Sequence, residues 1–159
     1  MEQGRYSVSV VVDLLGILSL SSEAQEPSLC LRRRMIGMGF SFKAIDHIQL
    51  AGPKGCEEDA RRFYKEILGF QEVDKPEELK KRGGVWFTYG TVQLHIGIEE
   101  PFIPAKKAHP AFEIENIEEL INHLRNSGVD VIEDSNLPGA QRMYVTDPMG
   151  NRIELLEWR

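Results

Sequence analysis

In Lys107-Ala108-His109-Pro110-Ala111-Phe112-Glu113-Ile114-Glu115, a histidine leads a run in which apolar and polar side chains alternate. Strict alternation marks a strand whose two faces meet different surroundings. Directly after it, Ile117, Leu120, Ile121 and Leu124 repeat at the spacing of one helical stripe. The same order occurs upstream: Ile45-Asp46-His47-Ile48-Gln49-Leu50 alternates, and Ala60, Phe63, Tyr64, Ile67 and Leu68 form the stripe behind it. One structural unit is written twice, and His109 opens its second copy.

The rest of each copy follows the same grammar. Gly52-Pro53-Lys54-Gly55 ends the first strand, and Gly69 suits the end of the first helix, where a left-handed residue carries no Cβ penalty. Phe70–Val73, Val85–Tyr89 and Thr91–Glu99 read as three further strands, with a charged excursion between Pro76 and Arg82. Residues 100–108, with Pro101 and Pro104, form a connector. In copy two, strand 109–115 and its helix precede strands at 129–133 and 141–146. The turn-formers Asp147-Pro148-Met149-Gly150-Asn151 then lead into the last strand, Arg152–Trp158. His47 to Gln93 is 46 residues and His109 to Glu154 is 45. The expected fold is therefore α+β: two tandem β-α-β-β-β modules, 43–99 and 109–159, in one domain over 43–159.

At 159 residues, 42% apolar and 28% charged, the chain suits one soluble globular domain. Residues 1–42 balance four basic against four acidic groups, so the whole −6 charge falls on the body. An acidic body excludes nucleic acid and anionic membrane as expected partners, since both rely on clustered Lys and Arg. Cys30 and Cys56 match neither a disulfide framework nor a CxxC metal site, which points to free thiols in a reducing cytoplasm. The apolar run 8–20 is too short to span a bilayer, which takes about 20 apolar residues. A signal peptide is disfavoured by Glu2, which cancels Arg5, and by Asp13 inside the apolar run. Residues 1–42 are expected to be a poorly ordered N-terminal extension, with Met35 and Met38 as later candidate starts.

Strand alternation also sorts the polar side chains. Ile48 and Leu50 oppose His47 and Gln49; Val92, Leu94, Ile96 and Ile98 oppose Gln93, His95 and Gly97. Phe112 and Ile114 oppose His109, Ala111 and Glu113, while Ile153 and Leu155 oppose Arg152, Glu154, Leu156 and Trp158. The apolar faces must cover the two helix stripes, each large buried side chain contributing about 1.5–3 kcal/mol. His47, Gln93, His95, His109 and Glu154 then gather on the concave side. Imidazoles and a carboxylate on one face are metal-ligand chemistry. His123 lies off its stripe and is expected at the surface.

Residues 42–158 resemble the vicinal oxygen chelate superfamily, which includes glyoxalase I, fosfomycin-resistance thiol transferases, bleomycin-binding proteins and extradiol dioxygenases. The motifs are Asp46-His47-Ile48, Ala60-x-x-Phe63-Tyr64-x-x-x-Leu68-Gly69-Phe70, His109-x-Ala111-Phe112-Glu113 and Asp147-Pro148-x-Gly150-Asn151-Arg152-Ile153-Glu154-Leu155. The resemblance implies a curved mixed sheet around a cavity, and a divalent metal (Zn, Ni, Mn or Fe(II)) held by His47, His109 and Glu154. Gln93 stands where glyoxalase I has a glutamate, a departure that weakens proton abstraction from that side. Glu154, His95 and Glu113 are the expected catalytic groups, and Gln49, Gln93, Trp86, Arg142 and Tyr144 the expected substrate contacts. The implied chemistry is Lewis-acid activation of adjacent substrate oxygens by a lyase or isomerase, or oxygenation with Fe(II). The alternative is a metal-free protein that sequesters a planar ligand among Trp86, Phe87, Tyr89, Tyr144 and Trp158. The resemblance also implies a small-molecule substrate and a homodimer.

Overall fold

The computed structural model describes residues 39–159, and Ala44–Arg159 forms one compact unit. The expected extension 1–42, with the apolar run 8–20 and Cys30, lies outside the described residues up to residue 38. Among the described residues no helix is long and apolar enough to cross a membrane.

Module one comprises β1 (Ile48–Gly52), α1 (Glu57–Ala60) with a π-helical continuation (Arg61–Ile67), β2 (Gln71–Val73), α2 (Glu77–Lys80), β3 (Val85–Tyr89) and β4 (Val92–Ile98). Module two comprises β5 (Ala111–Glu113), α3 (Ile117–Asn126), β6 (Ile132–Asp134), β7 (Ala140–Thr146) and β8 (Arg152–Trp158). The sheets have the orders β1-β4-β3-β2 and β5-β8-β7-β6. In each, the first and last strands pair in parallel and the others antiparallel. The two β-α-β-β-β modules are thus present in one mixed-sheet topology used twice. The short helix α2 occupies the charged excursion between β2 and β3.

Register shifts the match that spacing suggests by two residues. Gln93 opposes Thr88 and His95 opposes Trp86 in module one. Glu154 opposes Tyr144 and Leu156 opposes Arg142 in module two. Gln49 and Ala111, each two residues past its module's leading histidine, pair with His95 and Glu154. His95 and Glu154 are therefore equivalent, as are Trp86 and Tyr144, where spacing alone points to Gln93.

Several strands are shorter than alternation predicts, for identifiable reasons. β5 begins at Ala111 rather than His109, because Pro110 has no N–H to give to a ladder. Its carbonyl still accepts the Glu154 N–H at 3.0 Å, and Ile114 donates to Leu156 at 2.7 Å, so the pairing runs past both ends. β1 begins at Ile48, leaving His47 just outside the regular ladder.

The helix stripes cover the apolar faces of both sheets in a single core. Tyr64, Phe87, Leu94, Ile96, Ile117, Leu124, Met143, Val145 and Ile153 are fully buried. Gly69, at φ 77°, ends the first helix where the Phe70 N–H returns to the Tyr64 carbonyl at 2.9 Å. The α3 N-terminus, with Asn116 at φ 61°, is capped from β8: Glu157 accepts the Asn116 and Ile117 N–H groups at 3.1 and 3.0 Å. A carboxylate at that end also suits the helix dipole. Cys56 is free and buried.

Candidate metal centre

His109 and Glu154 meet on module two. β8 runs parallel to β5, with Glu154 paired to Ala111, two residues past His109 on the same face. His109 Nε2 lies 2.8 Å from Glu154 Oε2, and His109 Nδ1 lies 2.6 Å from the Lys107 carbonyl. A carbonyl only accepts, so Nδ1 carries the proton and donates. Nε2 then presents a lone pair toward a carboxylate oxygen. Two acceptor atoms this close are the kind of pair that a common divalent ion would take as ligands. A histidine that ligates through one nitrogen while a carbonyl fixes the N–H of the other is the usual arrangement in metal sites.

Glu154 is buried, and burial by itself pulls its carboxyl pKa upward. His109, Tyr144 and the Arg142 guanidinium outweigh that pull, so its pKa lies below the ordinary value. Arg142 bridges Glu154 Oε1 at 3.4 Å and Asp134 Oδ1 at 3.2 Å, while its buried Nε has no hydrogen-bond partner. Tyr144 packs edge-on to His109 with ring centres 5.6 Å apart, and the Arg152 guanidinium lies 3.7 Å from the Tyr144 ring centre.

The module-one histidine has a comparable arrangement. His47 Nδ1 donates to Asp46 Oδ2 at 2.8 Å, which leaves Nε2 as its lone-pair nitrogen. Its ring stacks on His95, which stacks in turn on Trp86. His95 is 8% exposed; burial and the neighbouring His47 both lower its pKa. Gln93 donates to the Thr88 hydroxyl at 3.0 Å. Gln49 packs across Gly97, where a Cβ would stand 2.9 Å from its amide nitrogen.

The donor set suits a divalent ion in type: two imidazoles with fixed Nδ1 protons and one ionised carboxylate. Within one chain it is divided, since no three His, Cys, Asp or Glu side chains among the described residues gather into a metal-holding group. Glu113 is exposed at the far end of β5, in a cleft with Phe112, Asn116 and Leu120, away from the His109–Glu154 pair. Phe87 is fully buried in the core, so it lines no binding cavity, and Trp158 is 53% exposed. His123 is exposed, as expected, and bonds the Ile67 carbonyl at 2.8 Å.

Four contributors have no role in the sequence reading. Asp46 adjoins His47 within a quoted motif, so its part was within reach of the sequence. The Lys107 carbonyl is invisible there, because any residue supplies one. Asp134 and Arg152 join only through the register of β6, β7 and β8.

The sequence pattern of the Glyoxalase/Bleomycin resistance protein/Dioxygenase superfamily matches residues 44–155. The chain belongs to this superfamily, and its fold is the glyoxalase-like one. It is 52% identical to a glyoxalase family protein of Bacillus anthracis, with a TM-score of 0.75 over 77% of this chain and 100% of that one. The fosfomycin resistance protein FosX of Listeria monocytogenes shares the fold at 17% identity, with a TM-score of 0.61 over 75% of this chain and 96% of that one. Lactoylglutathione lyase of Agrobacterium tumefaciens shares it at 20% identity and TM-score 0.59, over 73% of this chain and 94% of that one. No protein with a curated function matches the chain.

Proposed function

We propose that this protein is a metal-dependent enzyme acting on a small molecule through adjacent oxygen atoms. The observation that carries the reading is the His109–Glu154 pair: Nε2 and Oε2 stand 2.8 Å apart, with the imidazole oriented by the Lys107 carbonyl. His109, Glu154 and His47 would hold a divalent ion (Zn, Ni, Mn or Fe(II)). Such an ion supplies Lewis-acid stabilisation of developing oxyanion charge, or oxygen chemistry if it is iron. The chain's own residues then bind and orient the substrate. Arg142, whose guanidinium reaches Asp134 and Glu154, would help orient an oxygen-bearing substrate. Tyr144 shares the sheet face of Glu154, and Glu154 would be the carboxylate that moves a proton.

The division of the donor set supports completion across a homodimer, with His47 of the partner subunit joining His109 and Glu154. β1 and β5 are both edge strands, and the groove along them, 480 Å³, exposes Ile45 and Ile103. The free buried Cys56 fits a reducing cytoplasm.

Metal titration tests the reading. Ni²⁺, Zn²⁺, Mn²⁺ and anaerobic Fe²⁺ should each bind wild type far more tightly than Glu154→Ala or His109→Ala. Equal binding would sink the enzyme reading and leave metal-free ligand sequestration in its place. Oxygen uptake by the iron-loaded protein separates an oxygenase from a lyase or isomerase.

A further inference from the structure

Arg152 lies on β8 two residues before Glu154, and alternation gives the two side chains one face of the sheet. Tyr144, opposite Glu154 on β7, shares that face. The Arg152 guanidinium stands 3.7 Å from the centre of the Tyr144 ring, over its face. The same ring packs edge-on to His109, with centres 5.6 Å apart. A cation thus borders the His109–Glu154 pair across a single aromatic side chain.

The two arginines of this region differ in how their charge is met. Arg142 is compensated by Asp134 at 3.2 Å and Glu154 at 3.4 Å. Arg152 is only partly exposed and makes no ion pair among the described residues. Withdrawing a charge from water without a counter-charge is unfavourable, and the Tyr144 ring offsets part of that cost. Stacking occupies the face of a guanidinium and leaves its planar fork of N–H donors for an acceptor. The fold itself does not call for a cation here. Arg152 is the register counterpart of Gln93, each two residues before Glu154 or His95, and in module one that position holds a neutral amide bonded to Thr88.

We propose that Arg152 is a specificity-determining residue: supported by Tyr144, it binds an oxyanion group, carboxylate or phosphonate, carried by the substrate. The inference rests on the proposed small-molecule site, and it narrows the substrate class to an acid with a further oxygen beside its anionic group. A chain of net charge −6 does not draw anions in by its overall field, so recognition of an acid falls to a local cation. A guanidinium meets a carboxylate or phosphonate through two parallel N–H···O bonds, which an ammonium cannot reproduce.

The test compares glycolate and hydroxymethylphosphonate with ethylene glycol, which has adjacent oxygens and no charge. Binding to the full chain is measured by calorimetry, with and without Zn²⁺, and the Arg152 Nε–H is followed by NMR. At least one acid should bind wild type about tenfold or more tighter than ethylene glycol and shift the Arg152 Nε–H, the effect of charge-assisted hydrogen bonds. Which acid binds more tightly assigns the group as carboxylate or phosphonate. Arg152→Gln should abolish the preference, Arg152→Lys should keep part of it, and Arg82→Gln, at an exposed cation, should keep all of it. Equal binding of acids and ethylene glycol to wild type overturns the inference, as does an acid preference that persists in Arg152→Gln. If Zn²⁺ binds tightly while no acid preference appears, this inference alone falls. If Zn²⁺ does not bind while metal-free protein keeps an Arg152-dependent preference, the metal reading alone falls. Circular dichroism of the variants confirms that each comparison is made on folded protein.

Discussion

Tyr64, on the helix of module one, donates its hydroxyl to Asp147 Oδ2 of module two at 2.8 Å, and both residues are buried. The same carboxylate accepts the Met149 N–H at 3.0 Å, the Asn151 N–H at 2.8 Å and the Asn151 side-chain amide at 2.9 Å. That amide also donates to the Ala51 carbonyl of module one at 2.8 Å. The turn from Asp147 to Asn151 is thus a polar clasp between modules. Burial raises the Tyr64 phenol pKa well above its ordinary value, and the Asp147 charge adds to that, so the hydroxyl remains a donor.

Removing one side of the clasp should cost less than removing its centre. Tyr64→Phe is expected to lose about 1–3 kcal/mol, the usual penalty for a buried charged acceptor deprived of a donor. Asp147→Ala should lose more, because four donors are stranded at once. Urea unfolding measures both. Equal midpoints for Tyr64→Phe and wild type would mean that the clasp does not hold the modules.

Completion of the site across a dimer makes a complementation prediction. His47→Ala and Glu154→Ala should each bind metal poorly. Unfolded together and refolded, they should form hybrid dimers in which one of the two sites carries neither substitution. Metal binding, read by titration, should therefore reappear in the mixture. Its failure to reappear, with hybrid dimers verified by mass spectrometry, would place the site within one chain.

Gly84 and Gly90 share left-handed backbone but differ in space. At Gly84, φ 77°, a Cβ would meet the Ile96 carbonyl oxygen at 2.1 Å; at Gly90, φ 56°, it would meet nothing within 4 Å. Gly84→Ala should cost about 2–5 kcal/mol, left-handed strain plus overpacking. Gly90→Ala should cost about 1–2 kcal/mol, strain alone. Thermal melts of the pair distinguish the two terms, and equal losses would refute the steric part.

Glu57 accepts the Gly84 N–H at 2.8 Å, and this bond holds its carboxyl pKa below the ordinary 4.5 despite partial burial. A depressed folded-state pKa stabilises the fold above the unfolded value, and that contribution is lost as pH falls through the folded one. Wild type should therefore lose stability on acidification below about pH 4.5 more steeply than Glu57→Gln. At neutral pH the Gln variant should be weaker by about 0.5–1.5 kcal/mol. Parallel acid-titration curves from chemical denaturation at each pH would show that Glu57 contributes nothing to the slope.

Much of this architecture follows from local rules of the chain. Period-two alternation assigned Leu94 and Ile96 to the core and Gln93 and His95 to the other face, because side chains on a strand must alternate whatever surrounds them. The matched spacings of His47–Gln93 and His109–Glu154 do not survive as register: the strand pairing makes His95 the counterpart of Glu154. What depended on tertiary structure lies where distant segments meet. Alternation places His95 and Trp86 on a face, but only pairing of β3 with β4 brings their rings into a stack with His47. The bond that engages Gln93 comes from Thr88 across the sheet, and the carbonyl that orients His109 belongs to a connector without a repeating pattern. Face assignment is a property of one strand, whereas the division of His47 from His109 and Glu154 arises from how two modules pack, which local periodicity does not encode.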